Sequence, residues 1–251
     1  MMIYNTLEKL KEMKLKGMSK GLEDQLSMPE SLSLSFDERF GLLVDHEDIT
    51  RKNARLVSRL KMAKLREDAC IENIDFSGSR GIDKSVIFGF TSGDWIRQHQ
   101  NIIVTGPTGV GKTYLACAIL HSACREGFTG KYLRIPRLLD EINIAKANGS
   151  YSKLMANYAR YDILLFDDWG LSPMTADESR NILELVEDRY DRKSSIITSQ
   201  LPPEKWFDLM PDPTIADAIL DRLIHRSHRL KMKGPSMRKM KAENVKEAKE
   251  K

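Results

Sequence analysis

The sequence has few of the residues that mark exported, metal-binding or membrane proteins. Three cysteines, Cys70, Cys117 and Cys124, occur among 251 residues, and their spacing is not that of metal ligands. No apolar run is long enough to span a membrane, and the chain does not begin with a signal peptide. These absences predict a cytoplasmic protein in a reducing compartment, with no membrane partner and with Cys117 and Cys124 buried on one helix.

Aromatic residues are also scarce, at 7% of the chain, and Trp95, Trp169 and Trp206 are far apart in the sequence. We therefore interpret the tryptophans as packing residues rather than as a platform on which nucleic-acid bases stack. The net charge is +4, but it is unevenly distributed, because basic residues clearly outnumber acidic ones in 51–66 and beyond residue 222. The middle of the chain, in contrast, is slightly acidic.

The strongest signal in the sequence is a phosphate-binding loop. Residues 106–113 fit the pattern G-x-x-x-x-G-K-[ST] at every fixed position. In such loops glycines let backbone N–H groups surround the phosphates, the lysine neutralises phosphate charge, and the last hydroxyl can hold Mg²⁺. A predicted strand at 101–105 and a predicted helix at 112–125 flank the loop, which disfavours an ordinary glycine-rich turn. The predicted nucleotide-binding residues are Gly106, Pro107, Thr108, Gly109, Val110, Gly111, Lys112 and Thr113, with Thr113 also at the metal site.

A pair of acidic residues follows a second buried strand. Residues 161–168 form a hydrophobic run that closes in Asp167 and Asp168. Beside a phosphate loop, Asp167 would hold Mg²⁺, usually through water, and Asp168 would orient the attacking water. A strand end followed by an ordinary Asp turn is the alternative, and the upstream loop makes it the weaker one.

Two further candidates are less distinctive. Ser199 and Gln200 end a predicted strand, and open α/β sheets bind ligands at the carboxyl ends of their strands. Either side chain could contact the γ-phosphate or the attacking water, although a strand that simply ends in polar turn residues also fits. Arg222 lies near the end of a predicted helix, where it either completes a neighbouring subunit's site or forms a surface ion pair.

Strands alternate with helices from residue 101 onward, which predicts a parallel sheet covered by helices on both faces. Residues 72–98 contain several glycines and favour a linker that leads across the nucleotide site. The predicted strands are 101–105, 131–134, 161–167, 195–199 and 226–232, and the predicted helices are 112–125, 137–147, 175–190 and 214–224.

Residues 51–66 contain basic side chains and no acidic one. Arg51, Arg55 and Arg59 share one helical face, which suits contact with a phosphate backbone as well as it suits a solvated surface. No helix has a convincing helix-turn-helix pattern, so we expect recognition of DNA backbone and shape rather than of base edges. The predicted DNA-binding residues are Arg51, Lys52, Arg55, Arg59, Lys61, Lys64 and Arg66.

The N-terminal part shows helical patterns at 6–25 and 36–65 and no convincing strand. Ser35 followed by Glu38 is typical of a helix start, but the pattern leaves open whether 36–65 is one helix or two. We predict three parts in the chain. They are a helical domain at 1–70 that binds DNA or a partner, an ATPase domain at 71–238, and a basic, disordered tail at 239–251.

Five segments in order resemble the IstB-type helper ATPases of bacterial insertion sequences, relatives of the DnaC helicase loaders and DnaA initiators in the AAA+ superfamily. The resemblance covers nearly the whole chain and implies an α/β P-loop AAA+ core, with a parallel sheet flanked by helices, after a small all-helical N-terminal domain. The C-terminal helical lid that many AAA+ proteins carry is not expected here, because the sequence ends soon after Arg238. The five segments are 106–113, 165–170, 196–202, 221–223 and 234–238.

The resemblance also implies an activity, which is ATP hydrolysis by a homo-oligomer on double-stranded DNA. Nucleotide would bind at subunit interfaces, and the assembly would recruit a transposase encoded by the same element. The residues that it assigns are Lys112 and Thr113 to phosphate and Mg²⁺, Asp167 to the Mg²⁺ site, Ser199 to a polar sensor, and Arg222 to a finger donated in trans. Arg238 is a further candidate for nucleotide binding, and contact with DNA or membership of a frayed basic tail are its alternatives.

One departure from the general AAA+ pattern bears on the activity. Most members have Glu after the Mg²⁺-site aspartate, whereas this chain has Asp168. The shorter acid makes its assignment as catalytic base weaker and favours hydrolysis that is slow until DNA and partners align the site. We therefore keep two alternatives to a transposition ATPase, a DnaC-like replicative helicase loader and a nucleotide-gated DNA-binding scaffold with little hydrolysis.

Overall fold

The computed structural model describes residues 2–28, 31, 33–76 and 80–237. The predictions for Arg238 and for the tail at 239–251 lie outside these residues. The chain divides into two compact units, Met1–Ser58 and Arg59–Lys251. The assignment of functional domains with a boundary at residue 70 stays a prediction.

The N-terminal unit is built from helices. Helix α1 covers Met2–Glu12, α2 covers Lys16–Ser27, and α3 covers Phe36–Ala63 and continues into the second unit. The prediction of one helical stretch over 6–25 is therefore wrong in detail. Lys14 has a left-handed backbone (φ 60°), a conformation that a helix cannot contain, and it separates α1 from α2.

Helix α3 starts as the sequence predicts. The Glu38 carboxylate accepts a hydrogen bond from the Ser35 N–H (2.8 Å), and the Glu38 N–H donates to the Ser35 hydroxyl (3.3 Å). The helix is a single one of 28 residues, because no proline interrupts it. Within the same unit, the Glu47 carboxylate accepts hydrogen bonds from the N–H groups of Gly17 and Met18 and so caps the start of α2.

The second unit is organised around one parallel sheet, which confirms the predicted fold class. Its strands lie in the order β2-β3-β4-β1-β5. Strands β1, β3 and β4 consist almost entirely of buried residues, as expected for a sheet covered on both faces. The strands are β1 Asn101–Thr105, β2 Gly130–Arg134, β3 Ile163–Trp169, β4 Ser194–Ser199 and β5 Ser227–Lys231.

Helices pack on both faces of this sheet. The apolar side chains of α6 form one core cluster with the sheet and with residues that precede β1, while α7, α8, α9 and α10 contribute to a second cluster. Within the described part of the chain, no helix is both long and apolar enough to cross a membrane. The helices are α6 Lys112–Arg125, α7 Ile135–Ala147, α8 Tyr151–Ala159, α9 Ala176–Glu187 and α10 Pro213–Ile224.

The segment before β1 is more structured than the predicted linker. It contains α4 (Lys84–Gly89) and α5 (Asp94–Arg97), and Phe90 and Trp95 are buried in the first core cluster. Gly93 has a positive φ of 73° immediately before α5, so this glycine marks a helix boundary rather than a flexible linker. The segment is therefore part of the core that supports α6.

The packing roles predicted for the tryptophans and two of the cysteines are confirmed. Trp95, Trp169 and Trp206 are all buried, and the rings of Trp169 and Trp206 lie 5.4 Å apart. Cys117 and Cys124 are buried on α6, and burial raises the pKa of each thiol to about 11. Neither thiol is therefore a nucleophile at neutral pH.

Candidate nucleotide-binding site

The phosphate loop lies between β1 and α6, with Gly111 immediately before the first residue of α6. Three of its glycines have positive φ, 151° at Gly106, 81° at Gly109 and 103° at Gly111. Two of them also lie under a neighbouring segment. A Cβ at Gly106 would be 2.5 Å from the Met232 carbonyl oxygen, and one at Gly109 would be 2.2 Å from the Ser236 hydroxyl. Glycine is thus required by the backbone and by the residues that follow β5.

Lys112 is the first residue of α6, and its side chain folds back over the loop. Its Nζ donates hydrogen bonds to the carbonyl oxygens of Gly106 (2.8 Å) and Pro107 (2.9 Å). The ammonium therefore lies at the open end of the loop, next to the N-terminus of α6. This arrangement places positive charge and helix N–H groups together, as phosphate binding requires.

A cavity of about 460 Å³ opens beside the loop, within the size range of small-molecule sites. One side is formed by loop residues, including Thr108, Lys112 and Thr113. Apolar side chains line another part, and they come from the segment before β1 (Ile74 and Ile82) and from the segment after β5 (Met232 and Met237). The cavity thus combines a phosphate-binding end with an apolar region that can hold a base.

Asp167 lies at the carboxyl end of β3, is completely buried, and is close to Thr113. Its Oδ1 accepts hydrogen bonds from the hydroxyls of Thr113 (2.9 Å) and Thr198 (2.5 Å), and its Oδ2 accepts one from Tyr132 (2.7 Å). The two residues predicted for the Mg²⁺ site are therefore adjacent. A carboxylate and a hydroxyl are hard oxygen donors, so the residues present fit Mg²⁺.

Asp168 is held by an arginine that the sequence analysis missed. Its Oδ2 accepts a hydrogen bond from Arg134 Nε at 2.6 Å, and both side chains line the cavity. The backbone of Asp168 is left-handed (φ 62°), and β3 continues through a bulge to Trp169. The predicted strand end at 167 is therefore wrong, because the two acids lie at a bulge inside the strand.

Ser199 and Gln200 differ in what they face. Ser199 is buried, and its hydroxyl donates to the Trp169 carbonyl (2.7 Å) and accepts from the Leu201 N–H (3.1 Å). That hydroxyl ties β4 to β3. Gln200 lines the cavity, and its Oε1 accepts a hydrogen bond from Thr108 of the phosphate loop (2.7 Å). Of the two, Gln200 is the one whose side chain the structure brings to the loop.

Arg222 lies at the opposite edge of the sheet. The Asn101 amide, at the amino end of β1, donates hydrogen bonds to the carbonyl oxygens of Arg222 (3.2 Å) and Leu223 (3.1 Å). The phosphate loop follows the carboxyl end of the same strand. Arg222 forms an ion pair with Glu187 (2.6 Å), as the simpler interpretation predicted. Arg222 therefore lies away from the phosphate loop of its own chain.

The predicted DNA-binding residues fall into separate environments. In the N-terminal unit, Arg51 and Lys52 form ion pairs with Glu47 and Asp48, one turn earlier on α3. In the second unit, Arg59 donates to the Cys124 carbonyl oxygen (2.8 Å). The remaining residues divide in two, since Arg55, Lys61 and Lys64 are exposed, whereas Arg66 lines the cavity at the phosphate loop.

Sequence analysis therefore missed Tyr132, Arg134 and Thr198 and placed Arg66 in a different set. A signal for two of them was present, because Tyr132 and Arg134 end a predicted strand whose carboxyl end belongs to the same sheet edge as the acids. The register aligns Arg134 with Asp167. No motif predicted Arg66 at this site, since it lies more than 100 residues from Asp167.

Comparison with known proteins gives a family and a fold. The family described as "IstB-like ATP binding protein" matches residues 8–245. The chain is 43% identical over 239 residues to the putative insertion sequence ATP-binding protein y4pL of Sinorhizobium fredii (strain NBRC 101917 / NGR234), and the match covers 95% of this chain and 98% of that protein.

Two solved structures share the fold. The crystal structure of the DnaI matches with a TM-score of 0.57 and 15% identity, over 66% of this chain and 91% of that one. AMPPCP-bound DnaA from Aquifex aeolicus matches with a TM-score of 0.57 and 19% identity, over 73% of this chain and 56% of that one. Together with the sheet order, they show the fold, a parallel five-stranded sheet flanked by helices.

Proposed function

The chain belongs to the IstB-like family of insertion-sequence ATP-binding proteins, and on this basis we propose that it is an oligomeric, DNA-binding ATPase that helps a transposase engage target DNA. One observation carries the proposal. The phosphate loop and the acid pair occupy one edge of the sheet, and the candidate finger Arg222 occupies the other. A subunit arranged in this way needs a neighbour's Arg222 to complete its ATP site.

The residues at the loop have separate tasks in this proposal. Loop N–H groups and Lys112 bind the phosphates, and Thr113 and Asp167 would hold Mg²⁺, which would neutralise phosphate charge. Asp168 orients the attacking water once Arg134 no longer binds the Asp168 carboxylate. Gln200, already hydrogen-bonded to the loop, positions the loop or the water.

Hydrolysis in the isolated protein is expected to be slow. A carboxylate engaged by a guanidinium at 2.6 Å has fewer lone pairs with which to orient water, and this is the state of Asp168. Assembly on DNA then has two effects: it supplies Arg222 in trans and shifts Arg134 away from Asp168. The proposal therefore includes stimulation by DNA and by the partner transposase.

Electron microscopy of the purified protein on duplex DNA tests the proposal. With ATP or a non-hydrolysable analogue at physiological salt, we expect an ordered oligomer with nucleotide between adjacent subunits. We expect the transposase of the same element to be retained on the assembly. An oligomer that forms equally well without nucleotide, or no assembly on DNA at all, would overturn the proposal.

The DNA-binding surface has its own test. Changing Arg55, Lys61 and Lys64 together to Ala removes two exposed cations of α3 and the exposed cation that directly follows it. We expect weaker DNA binding and a smaller dependence of binding on salt, with ATP affinity unchanged. The matched control is Arg137→Ala with Lys153→Ala and Arg160→Ala, which removes three exposed cations elsewhere on the second unit. Equal loss in the two variants would argue against a specific role for α3.

The Arg134–Asp168 pair also favours a second candidate, a nucleotide-gated scaffold that barely hydrolyses ATP. Single-turnover hydrolysis on DNA separates the two functions. A scaffold would have the same slow rate in Asp168→Asn and Arg222→Ala as in the wild type, whereas an ATPase would lose activity in both. The helicase-loader alternative shares this core, and retention of a hexameric helicase rather than a transposase in a pull-down would support it.

A further inference from the structure

The buried carboxylate of Asp167 has an arginine beside it that none of the proposed steps employs. Arg66 Nη1 lies 3.6 Å from Asp167 Oδ2, and Asp167 has no exposed surface. A fully buried carboxylate is costly unless a cation and hydrogen bonds compensate its charge. Among the ion pairs of the described residues, the pair with Arg66 is the one that supplies this compensation.

Arg66 is also connected to Asp167 through a shared neighbour. Tyr132 donates its hydroxyl hydrogen to the same oxygen, Oδ2, at 2.7 Å. The Arg66 guanidinium hydrogen-bonds to Tyr132, and this contact is the main reason why the pKa of Arg66 is raised. Arg66 and Tyr132 thus meet at one carboxylate oxygen, while Thr113 and Thr198 occupy the other.

The backbone at Arg66 is fixed to the helix that begins at the phosphate loop. Hydrogen bonds from the backbone N–H groups of Glu67 and Arg66 reach the thiol of Cys117 on α6. Just before them, Lys131 Nζ of β2 donates to the Met62 carbonyl oxygen (3.3 Å). The chain immediately after α3 is therefore held against α6 and β2, so that the Arg66 side chain is aimed at Asp167 from the cavity.

This placement sets Arg66 in competition with Mg²⁺. The side chain is 41% exposed and lines the cavity, so it is free to move away from Asp167 without disrupting the core. A divalent cation held by Asp167 and Thr113 would repel a guanidinium 3.6 Å from the same carboxylate. Arg66 and the metal therefore cannot both be at Asp167 in their preferred positions.

We propose that Arg66 is a positioning residue that compensates the charge of Asp167 in the nucleotide-free protein and releases it when Mg²⁺ and ATP bind. This inference rests on the proposed ATP-binding function and concerns the regulation of that site. Arg66 follows the end of α3 at Ala63 by three residues. The segment that joins α3 to the ATPase core therefore changes its contacts when nucleotide binds. Because α3 carries predicted DNA-binding residues, this segment links DNA binding to ATP binding.

The test measures the affinity of a fluorescent ATP analogue in Mg²⁺ and in EDTA. In Arg66→Ala, Mg²⁺ no longer has to displace a cation, and ATP without Mg²⁺ meets an uncompensated Asp167. We expect the ratio of the dissociation constant in EDTA to that in Mg²⁺ to rise at least about threefold, the effect of a partly exposed ion pair. Arg66→Lys keeps the charge and should retain the wild-type ratio. The matched control is Arg137→Ala, which removes an exposed arginine of α7.

A ratio in Arg66→Ala that equals the wild-type ratio would overturn the inference. If that unchanged ratio came with an equal loss of affinity in Mg²⁺ and in EDTA, Arg66 would be a phosphate contact. If the wild-type protein binds the analogue in neither condition, the proposed function fails instead.

A second variant keeps the inference testable if Arg66→Ala does not fold. Tyr132→Phe keeps the ring and removes the hydroxyl that joins Arg66 to Asp167, and we expect a smaller rise of the same ratio. Hydrogen exchange gives a readout independent of affinity. Residues 59–67 should exchange faster with Mg²⁺ and the ATP analogue than without them, and unchanged or slower exchange would contradict release of Arg66.

Discussion

The two edges of the central sheet differ in how their charged groups are used. At the carboxyl edge, Asp167 and Asp168 each face an arginine, and both arginines line an open cavity. At the amino edge, Arg189 is buried and donates to the carbonyl oxygens of Tyr158, Tyr161 and Ser194. Arg222, in contrast, is partly exposed and forms an ion pair with the exposed Glu187.

The difference separates structural from functional arginines. Burial lowers the pKa of Arg189 to about 9, and its Nη atoms donate to three carbonyl oxygens, so Arg189 fastens strands together and is not available to a ligand. Arg222 has a surface partner that it can exchange. In the proposed function, the carboxyl edge binds the nucleotide and the amino edge offers the partly exposed cation of Arg222 to a neighbouring subunit.

The largest expected effect is at the amino edge. In Arg222→Ala we expect DNA-stimulated hydrolysis to fall about a thousandfold, the size of effect that arginine fingers have, with ATP affinity unchanged. Arg226→Ala is the control, because Arg226 lies on the same edge in an ion pair with Asp191. Steady-state hydrolysis and nucleotide titration check the result, and a matching loss of ATP affinity would mean that Arg222 supports folding rather than catalysis.

At the carboxyl edge, Asp167→Asn tests the Mg²⁺ site. The amide keeps the shape but loses the charge, so we expect about a hundredfold slower hydrolysis and an ATP affinity that no longer improves with Mg²⁺. Asp140→Asn, at an exposed position of α7, is the matched control. If the ATP affinity of Asp167→Asn still improved with Mg²⁺, residues other than Asp167 would have to hold the metal.

Gly109→Ala tests the contact between the loop and the segment after β5. The new Cβ would meet the Ser236 hydroxyl at a positive φ, and strain of this kind weakens nucleotide binding about tenfold. Adding Ser236→Gly removes the collision but leaves the backbone strain, so we expect partial recovery by nucleotide titration. Full wild-type affinity in Gly109→Ala would show that the segment does not constrain the loop.

The smallest expected effect concerns Arg134. Arg134→Ala frees Asp168, and we expect DNA-independent hydrolysis to rise about threefold, as for loss of a partly exposed ion pair. In the double variant with Asp168→Asn this rise should disappear. A fall in the single variant would instead assign Arg134 to the phosphates.

Much of the carboxyl edge could be predicted from sequence, because its groups lie in local patterns. A loop with fixed glycine and lysine positions, or a hydrophobic run that closes in acids, can be recognised within ten residues. The parallel sheet followed from the alternation of strands and helices. The short helix α8 was missed because its apolar positions span only nine residues.

The contacts that control the acids could not be predicted in the same way. Arg66, Tyr132 and Arg134 reach Asp167 and Asp168 only because β2 pairs with β3 and because the end of α3 packs on α6. The bulge depends on the positive φ of Asp168. The local sequence is equally compatible with a continuous strand and with a turn. Tertiary packing, which local patterns do not record, determines these details.

Subunit mixing tests the division of the site between two chains most directly. Lys112→Ala lacks the loop cation but keeps Arg222, and Arg222→Ala has the opposite defect, so each variant alone should be inactive on DNA. Random mixing in equal amounts would pair an intact loop with an intact Arg222 at about a quarter of the interfaces, and we expect hydrolysis to recover to about that fraction of wild type. A mixture no more active than the sum of its components would contradict a site shared between subunits.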